Sequence, residues 1–442
     1  MDPSSGVSVK DIELILRRCD ILAQITEEPG RITRGFLSDA MGEVNTQVAQ
    51  WMNEAGLTTE LDIAGNLIGS RTHGEEEAPL LVLGSHLDTV RDAGRYDGIL
   101  GVLMAVAVAQ AFQDEDLPFD LEIIGFSDEE GLRYGVPFLG SQALIGDLDP
   151  AVLSRRDEKG VPMADAISDW GGNPEAMCCR YKDRRLLGYV EAHIEQGPLL
   201  EYRDLSIGIL EALSGSAWLN LRFEGHAGHA GTTPMELRRD PMPAAAELVL
   251  EAERLARDER DLVATVGKLE PRPGAGNVIP GEVELSLDMR HPDGRRLSTA
   301  LDRLLEKGRE VARQRDLTFT HEILHRQEGL QADPGLSQLL TQAAERHGAD
   351  PVPLVIGAGH DALIMSRRMP VAMLFLRSPG GISHHPDESV RTQDVATAFA
   401  TLQGFVRDLA SREERREKEL AWRLSASGSA VSDADALWDS NE

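Results

Sequence analysis

Cysteine is almost missing from this 442-residue chain, which has only Cys19, Cys178 and Cys179. Without CxxC spacing these thiols make neither a disulfide framework nor a thiolate metal site, and they suit a reducing compartment. Positive charge is short as well: 45 Lys and Arg stand against 74 Asp and Glu, a formal net charge of -29. That excess repels phosphate backbones and anionic lipid, so neither nucleic acid nor a membrane is an expected partner. Long apolar runs are missing too. The most apolar stretch, Gly98 to Ala109, falls well short of the ~20 residues that cross a bilayer and reads as a buried helix. The opening MDPSSGVSVKD has no basic segment followed by an apolar one, so no secretory signal is expected and the expected location is cytoplasmic.

What is present is globular: 41% hydrophobic and 27% charged residues, in a chain long enough for two or three domains at roughly 150 residues each. Two amphipathic helical patterns come first, Ile12-Ile15-Leu16-Cys19-Leu22 and Val44-Val48-Trp51-Met52. The apolar runs Leu80 to Leu83 and Leu121 to Ile124, with helix-like Gly101 to Phe112 between them, predict a βαβ unit in an α/β core. Between Leu213 and His325 the pattern becomes β-α-β-α-β. Alternating Leu219 to Phe223 and Val283 to Asp288, the strand-like Leu317 to Leu324, and helices at Met242 to Ala256 and Leu297 to Arg313 suggest an inserted α+β domain, a small open sheet with helices on one face. A helix near Leu336 to His347, a strand at Val371 to Leu376 and a helix holding Val395, Phe399, Leu402, Phe405 and Leu409 then complete the first domain. The expectation is a discontinuous α/β domain, residues 1–212 and 326–410, interrupted by 213–325 and followed over 411–442 by a charged helical extension and a disordered tail.

The residues that suggest chemistry fall where these strands end. Gly84-Ser85-His86-Leu87-Asp88-Thr89-Val90 directly follows an apolar run, the place where α/β folds put ligands. His86 suits a metal ligand, with Asp88 the carboxylate that fixes its tautomer; from this motif alone, a His-Asp pair that merely holds a loop reads equally well. Asp97, in Gly94-Arg95-Tyr96-Asp97-Gly98, opens the apolar helix where a carboxylate could bridge two metals, although Asp-Gly alone is usually a turn. Phe126-Ser127-Asp128-Glu129-Glu130-Gly131 ends the next strand. One carboxylate on a metal beside another that takes a proton from water is a hydrolase arrangement. Glu191 to Pro198 adds His193, and Gly381 to Pro386 adds His384 and His385, giving a His/Asp/Glu set suited to zinc or manganese. In the inserted region, Gly225 to Pro234 presents His229, and Asn277 and Arg290 lie around a strand; arginine suits a substrate carboxylate. His360, in GAGHDA, suits pocket lining and a buried hydrogen bond equally.

The succession GSHLDTV, GRYDG, FSDEEG, HIEQGP, GHAGTTPM, NVIPGEVELSLDMRH, GAGHDA and GISHHPDE resembles, in order and across residues 10–410, the amidohydrolases of the hydantoinase/carbamoylase family. HIEQGP discriminates most, because related aminoacylases and peptidases generally place a carboxylate where His193 stands. The resemblance implies a metallohydrolase catalytic domain with a mixed sheet flanked by helices, plus an inserted open-faced sandwich for dimerisation and as a lid. It therefore implies a homodimer, with two divalent metal ions, zinc or manganese, per subunit. His86, Asp97, Glu130, His193 and His384 would be the ligands, with Asp97 bridging and Asp88 behind His86. Glu129 would be the general base, His229 the group that polarises the scissile carbonyl, and Gln196, Asn277 and Arg290 the substrate contacts. His385 stands where relatives often have Asn or Ser.

The activity so implied is hydrolysis of a ureido C–N bond in a small ureido-carboxylate, releasing ammonia and carbon dioxide. The segments VRDAGRYDGILGVL, ITRGFLSDA and GHAGTTPMELRRDPM most resemble the allantoate amidohydrolases of that family. Allantoate, converted to ureidoglycine, is thus the first expected substrate. N-carbamoyl-L-amino acids come second and ureidoglycolate or β-ureidopropionate third. Two other classes compete: a binding protein that keeps the fold without catalysis, opposed by the intact Glu129 and ligand set, and a dipeptidase-like relative, opposed by His193 and the NVIPGEV to MRH segment.

Overall fold

A computed structural model describes residues 8–74, 78–176 and 178–435 and divides into two compact units. The first runs up to Leu210 and resumes over Ala332–Pro353 and from His360 onward; the second is Glu211–Gln331 with Leu354–Gly359.

The first unit is built on a mixed sheet in the spatial order Thr58–Leu61, Leu67–Arg71, Asp120–Phe126, Leu80–His86, Leu186–Ile194, Val371–Leu376 and then the start of Ile207–Leu213. The four strands from Asp120–Phe126 to Val371–Leu376 are mutually parallel, and the flanking ones are antiparallel. Every residue of Leu80–His86, Asp120–Phe126 and Val371–Leu376 is buried, which is why these strands read as continuous apolar runs without alternation. Parallel neighbours need crossovers, and Ile99–Ala111 is the first of them. This helix is apolar all round because it packs at once on the sheet and on the helices Val9–Leu22 and Thr392–Asp435. Val44, Val48, Leu103, Val106, Phe399 and Phe405 are fully enclosed in the same core, each contributing roughly 1.5–3 kcal/mol relative to exposure. Ser8 begins Val9–Leu22 with a reciprocal cap to Asp11, and Ser38 caps Asp39–Glu54.

The last helix continues to Asp435, into the stretch expected to be disordered, since extending an existing helix adds a hydrogen bond per residue without a new nucleus. Residues 436–442, where the rest of that expectation falls, lie outside the described residues. No helix among the described residues is long and apolar enough to cross a membrane.

The second unit is an antiparallel sheet in the order Leu269–Arg272, Glu282–His291, Gly215–Glu224 and Thr318–Gln327, with Val263–Thr265 also paired to Glu282–His291. Burial alternates residue by residue along Glu282–His291, the signature of a sheet covered on one face. Val283, Leu285, Leu287 and Met289 point into a core shared with helices Pro241–Asp258 and Gly294–Gln314, which Asp240 and Asp293 cap.

Candidate metal centre

Parallel strands deliver their C-terminal ends to one edge of a sheet, and here four adjacent strands carry donors to that edge. His86 ends Leu80–His86, His193 is the penultimate residue of Leu186–Ile194, Asp128-Glu129-Glu130 follows Asp120–Phe126, and Ser383-His384 follows Val371–Leu376. Asp97 comes from the turn before Ile99–Ala111 and lies among them. Its Oδ1 is 3.5 Å from His86 Nε2 and 3.1 Å from His193 Nε2, while its Oδ2 is 3.3 Å from His384 Nε2. His384 Nε2 is also 3.2 Å from Glu130 Oε1. Four overlapping groups thus each bring one ligand atom per residue within 4.8 Å of one another: His86, Asp97 and His193; Glu191, His193 and His360; His86, Glu129 and Glu130; and Asp97, Glu130 and His384. His385 is exposed, with its Nδ1 3.7 Å from Asp387, so of the two adjacent histidines it is His384 that the fold brings to Asp97.

The donor set fits divalent cations on proton bookkeeping alone. His86 Nδ1 is 3.1 Å from the Asp88 carbonyl and His193 Nδ1 is 2.9 Å from the Ile194 carbonyl. A carbonyl only accepts, so each Nδ1 carries a proton, and a neutral ring then turns an Nε2 lone pair inward. The two Nε2 atoms are 3.5 Å apart, beside an Asp97 Oδ1 that has no hydrogen-bond donor among the described residues. Such converging lone pairs repel unless something positive lies between them, and imidazole with carboxylate suits a borderline divalent ion. Burial lowers His86, yet Asp88 and Asp97 push it well above its ordinary value; burial raises Asp97, yet His193, His384 and His86 hold it well below the carboxylate range. Asp97 and Glu130 push His384 up to about 10. Burial and the charge of Glu130 raise Glu129.

Asp88 does more than sit behind His86. Its two carboxylate oxygens accept from the amides of Glu129 at 3.0 Å and Glu130 at 3.1 Å, which aims the acidic pair, and its Oδ1 is 3.4 Å from His86 Nδ1. Gly98 has φ +70°, and a Cβ there would lie 2.4 Å from the His86 ring, so the glycine after Asp97 is demanded by the site as well as by the turn. Gln196, expected as a substrate contact, donates its Nε2 to Asp97 Oδ2 at 2.9 Å and leaves Oε1 unpartnered among the described residues. His360 is buried edge-on to His193 with ring centroids 4.4 Å apart, and neither of its ring nitrogens has a hydrogen-bond partner among the described residues.

The second unit carries the other three expected residues. Gly228–His229 pairs with Val278–Ile279, with Val278 opposite His229, and the Ala230 amide donates to the Asn277 carbonyl at 3.0 Å, so His229 and Asn277 are neighbours. His229 is exposed; its Nδ1 accepts from the Gly231 amide at 3.1 Å, which makes Nε2 the protonated nitrogen of the neutral ring. Arg290 is already engaged: Nε and Nη2 donate to Asp288 at 3.0 and 2.7 Å, and Nη1 donates to the Gly357 carbonyl at 2.7 Å. A substrate carboxylate at this arginine would compete with Asp288.

Residues 82–408 match the model of Peptidase family M20/M25/M40. The chain belongs to this family. An allantoate deiminase of Arabidopsis thaliana is 35% identical over 419 residues, spanning 87% of this chain and 80% of the relative. An N-carbamoyl-L-amino acid amidohydrolase of Geobacillus stearothermophilus is 35% identical over 405 residues, 91% of this chain and 99% of the relative. The crystal structure of a hydantoinase/carbamoylase family amidase from Burkholderia multivorans superposes with a TM-score of 0.85 at 30% identity, over 91% of this chain and 98% of that one. The resemblance seen in the motifs therefore holds, and with it the mixed-sheet α/β fold and the class, a hydrolytic enzyme.

Two residues that hold the loops of this candidate site escaped the sequence reading. Arg34 is fully buried, and its guanidinium donates to the carbonyls of Leu87, Leu22 and Ile25, all at 3.1 Å, pinning the turn that carries Asp88. Glu388 accepts from the amides of Tyr96 at 2.8 Å and Asp97 at 3.1 Å. Both stand inside segments already singled out, ITRGFLSDA and GISHHPDE. Their partners are backbone groups distant in sequence, which leave no spacing pattern to read.

Proposed function

We propose that this chain hydrolyses a ureido C–N bond in a small carboxylate, with allantoate as its first substrate. Water adds to the ureido carbonyl, the C–N bond breaks to release ammonia, and the resulting carbamate loses carbon dioxide to leave ureidoglycine. The convergence of His86, His193 and His384 on the two oxygens of Asp97, with Glu130 beside His384, carries this reading. His86, His193 and Asp97 would hold one divalent ion and Asp97, Glu130 and His384 the other, as zinc or manganese. When bound, the pair would lower the pKa of water towards neutrality and polarise the carbonyl. Glu129, raised by burial and by Glu130, takes the proton of the attacking water and returns it to the leaving nitrogen. The Nε2–H of His229 supports the carbonyl oxygen as negative charge develops. Gln196 and Asn277 orient the amide, and Arg290 takes the substrate carboxylate in exchange for Asp288.

The Arabidopsis and Geobacillus relatives are equally identical to this chain and are named for different substrates, so VRDAGRYDGILGVL, ITRGFLSDA and GHAGTTPMELRRDPM carry the preference for allantoate. The second reading is an N-carbamoyl-L-amino-acid amidohydrolase. Ammonia release by the zinc- and manganese-loaded protein, from allantoate and from a panel of N-carbamoyl-L-amino acids, separates them. Preferential turnover of allantoate supports the first; activity on the panel alone replaces it with the second. The reading also makes the enzyme a cytoplasmic homodimer joined through the second unit, supported by exposed Trp218, Ile323 and Leu324 on that unit's sheet and by free cysteines. A monomeric mass in solution would remove the dimer.

A further inference from the structure

We infer that Glu388 is a positioning residue that sets the bridging carboxylate in place before any cation arrives, an inference that rests on the dinuclear reading above. Glu388 is 4% exposed and lies on the backbone side of Asp97, with its Oε1 accepting from both the Tyr96 and the Asp97 amides. The loop is wrapped closely on this carboxylate: a Cβ at Gly94 would fall 2.3 Å from it, which accounts for the first glycine of GRYDG. Its Oε2 is 3.5 Å from Ser383 Oγ, and that hydroxyl donates to Asp97 Oδ2 at 2.7 Å. Its own amide donates to the His385 carbonyl at 3.0 Å, closing the turn that follows His384. One residue therefore holds the Asp97 backbone through its side chain and the turn of the last histidine through its own amide, with the serine on the Asp97 carboxylate beside it.

Burying a carboxylate is unfavourable unless its hydrogen bonds are made, and an apolar side chain would fill the same space without that cost. What glutamate adds at position 388 is a pair of bonds to the two amides that fix where Asp97 begins. Asp97 must present both oxygens in different directions, so a loop free to rotate would spread them over many poses and weaken both cation sites together.

The test is zinc binding by the full-length metal-free protein in competition with a chromophoric chelator, with the visible absorption of the cobalt(II)-loaded protein as a second readout. Glu388→Ala should weaken affinity by about 10–100-fold, the usual effect of losing a partner behind a metal ligand, and should change the cobalt spectrum. Glu388→Gln keeps a carbonyl oxygen that both amides can reach and should stay within about threefold of wild type. Glu388→Asp keeps the charge but loses the reach, and should fall with the alanine variant; if Glu388→Ala does not fold, the Gln and Asp pair decides alone. Wild-type affinity in both Glu388→Ala and Glu388→Asp would overturn the inference, as would a Gln variant as weak as Ala. Wild-type protein that takes up no second cation would instead overturn the dinuclear reading, and the inference with it.

Discussion

The two units hold their candidate residues in different ways. In the first, support comes from far along the chain: Asp88 takes the amides of Glu129 and Glu130, Glu388 takes those of Tyr96 and Asp97, and Arg34 ties the Asp88 turn to the end of the first helix. In the second, the side-chain bonds are shorter in reach: His229 leans on Gly231 and Arg290 on Asp288, each two residues away, with one longer bond from Arg290 to the Gly357 carbonyl. A metal ion tolerates little misplacement of its donors, so distant parts of the fold must agree on their positions. A flexible organic substrate brings its own shape, and a side chain held mainly by its neighbours can turn to meet it. On the proposed reading, the first unit is prepared for ions and the second for a molecule.

That contrast breaks most visibly at Asp97. Asp97→Ala should lose both cations and lower turnover by about 10³-fold or more, since both oxygens of the bridge go at once; two equivalents of metal retained, measured by elemental analysis, would dissolve the distinction between the units. Glu129→Gln should keep its metal and its fold while kcat drops by about 10²–10⁴-fold, so an unaltered rate would remove it as the base. In the second unit, His229→Ala should lower kcat by about 10²–10³-fold with metal content unchanged. Arg290→Ala should act on KM, raising it by about 10–100-fold for substrates with a carboxylate and leaving kcat nearly alone; a KM that does not move would return this arginine to its pairing with Asp288. The smallest effect belongs to His385→Ala. Metal content and turnover should both stay within about twofold, because surface substitutions away from special features change little, and a loss of metal there would exchange the roles of the two adjacent histidines.

Much of the fold was legible where burial is one-sided or complete. Leu80–His86, Val371–Leu376 and the alternating Glu282–His291 follow directly from their apolar patterns. Leu186–Ile194 was not read as a strand, although it sits between two parallel neighbours, because Glu191 and His193 interrupt its apolar run; both are buried with polar partners, Glu191 accepting from Ser85 and Tyr189 and His193 lying beside Asp97, and that is what hides the strand. Thr58–Leu61 and Val263–Thr265 were missed for a different reason, being short and mostly exposed, with no pattern to show. The donor residues of the site were legible in their motifs. The contacts that aim them were not, since a side chain bonded to a remote amide leaves no trace in local spacing. Gln196 illustrates this: its motif marked it, but only the fold puts its amide on Asp97.

The arrangement of donors also sets an order of events during synthesis. His86, Asp97, Glu130 and His193 all leave the ribosome before the second unit, Glu211–Gln331, is made, while His384 follows it. At about 5–20 residues per second, the nascent chain spends many seconds with four of these five donors made and the strand Val371–Leu376 still missing from the sheet. During that interval the intervening segment can fold around its own core, whereas the edge of the parent sheet that will carry His384 has no strand to end on. A cation caught early can meet the His86, Asp97 and His193 set or the His86, Glu129 and Glu130 set, whereas the Asp97, Glu130 and His384 set waits for His384. On the dinuclear reading, a product truncated before Val371–Leu376 would therefore lack the place that Asp97, Glu130 and His384 form.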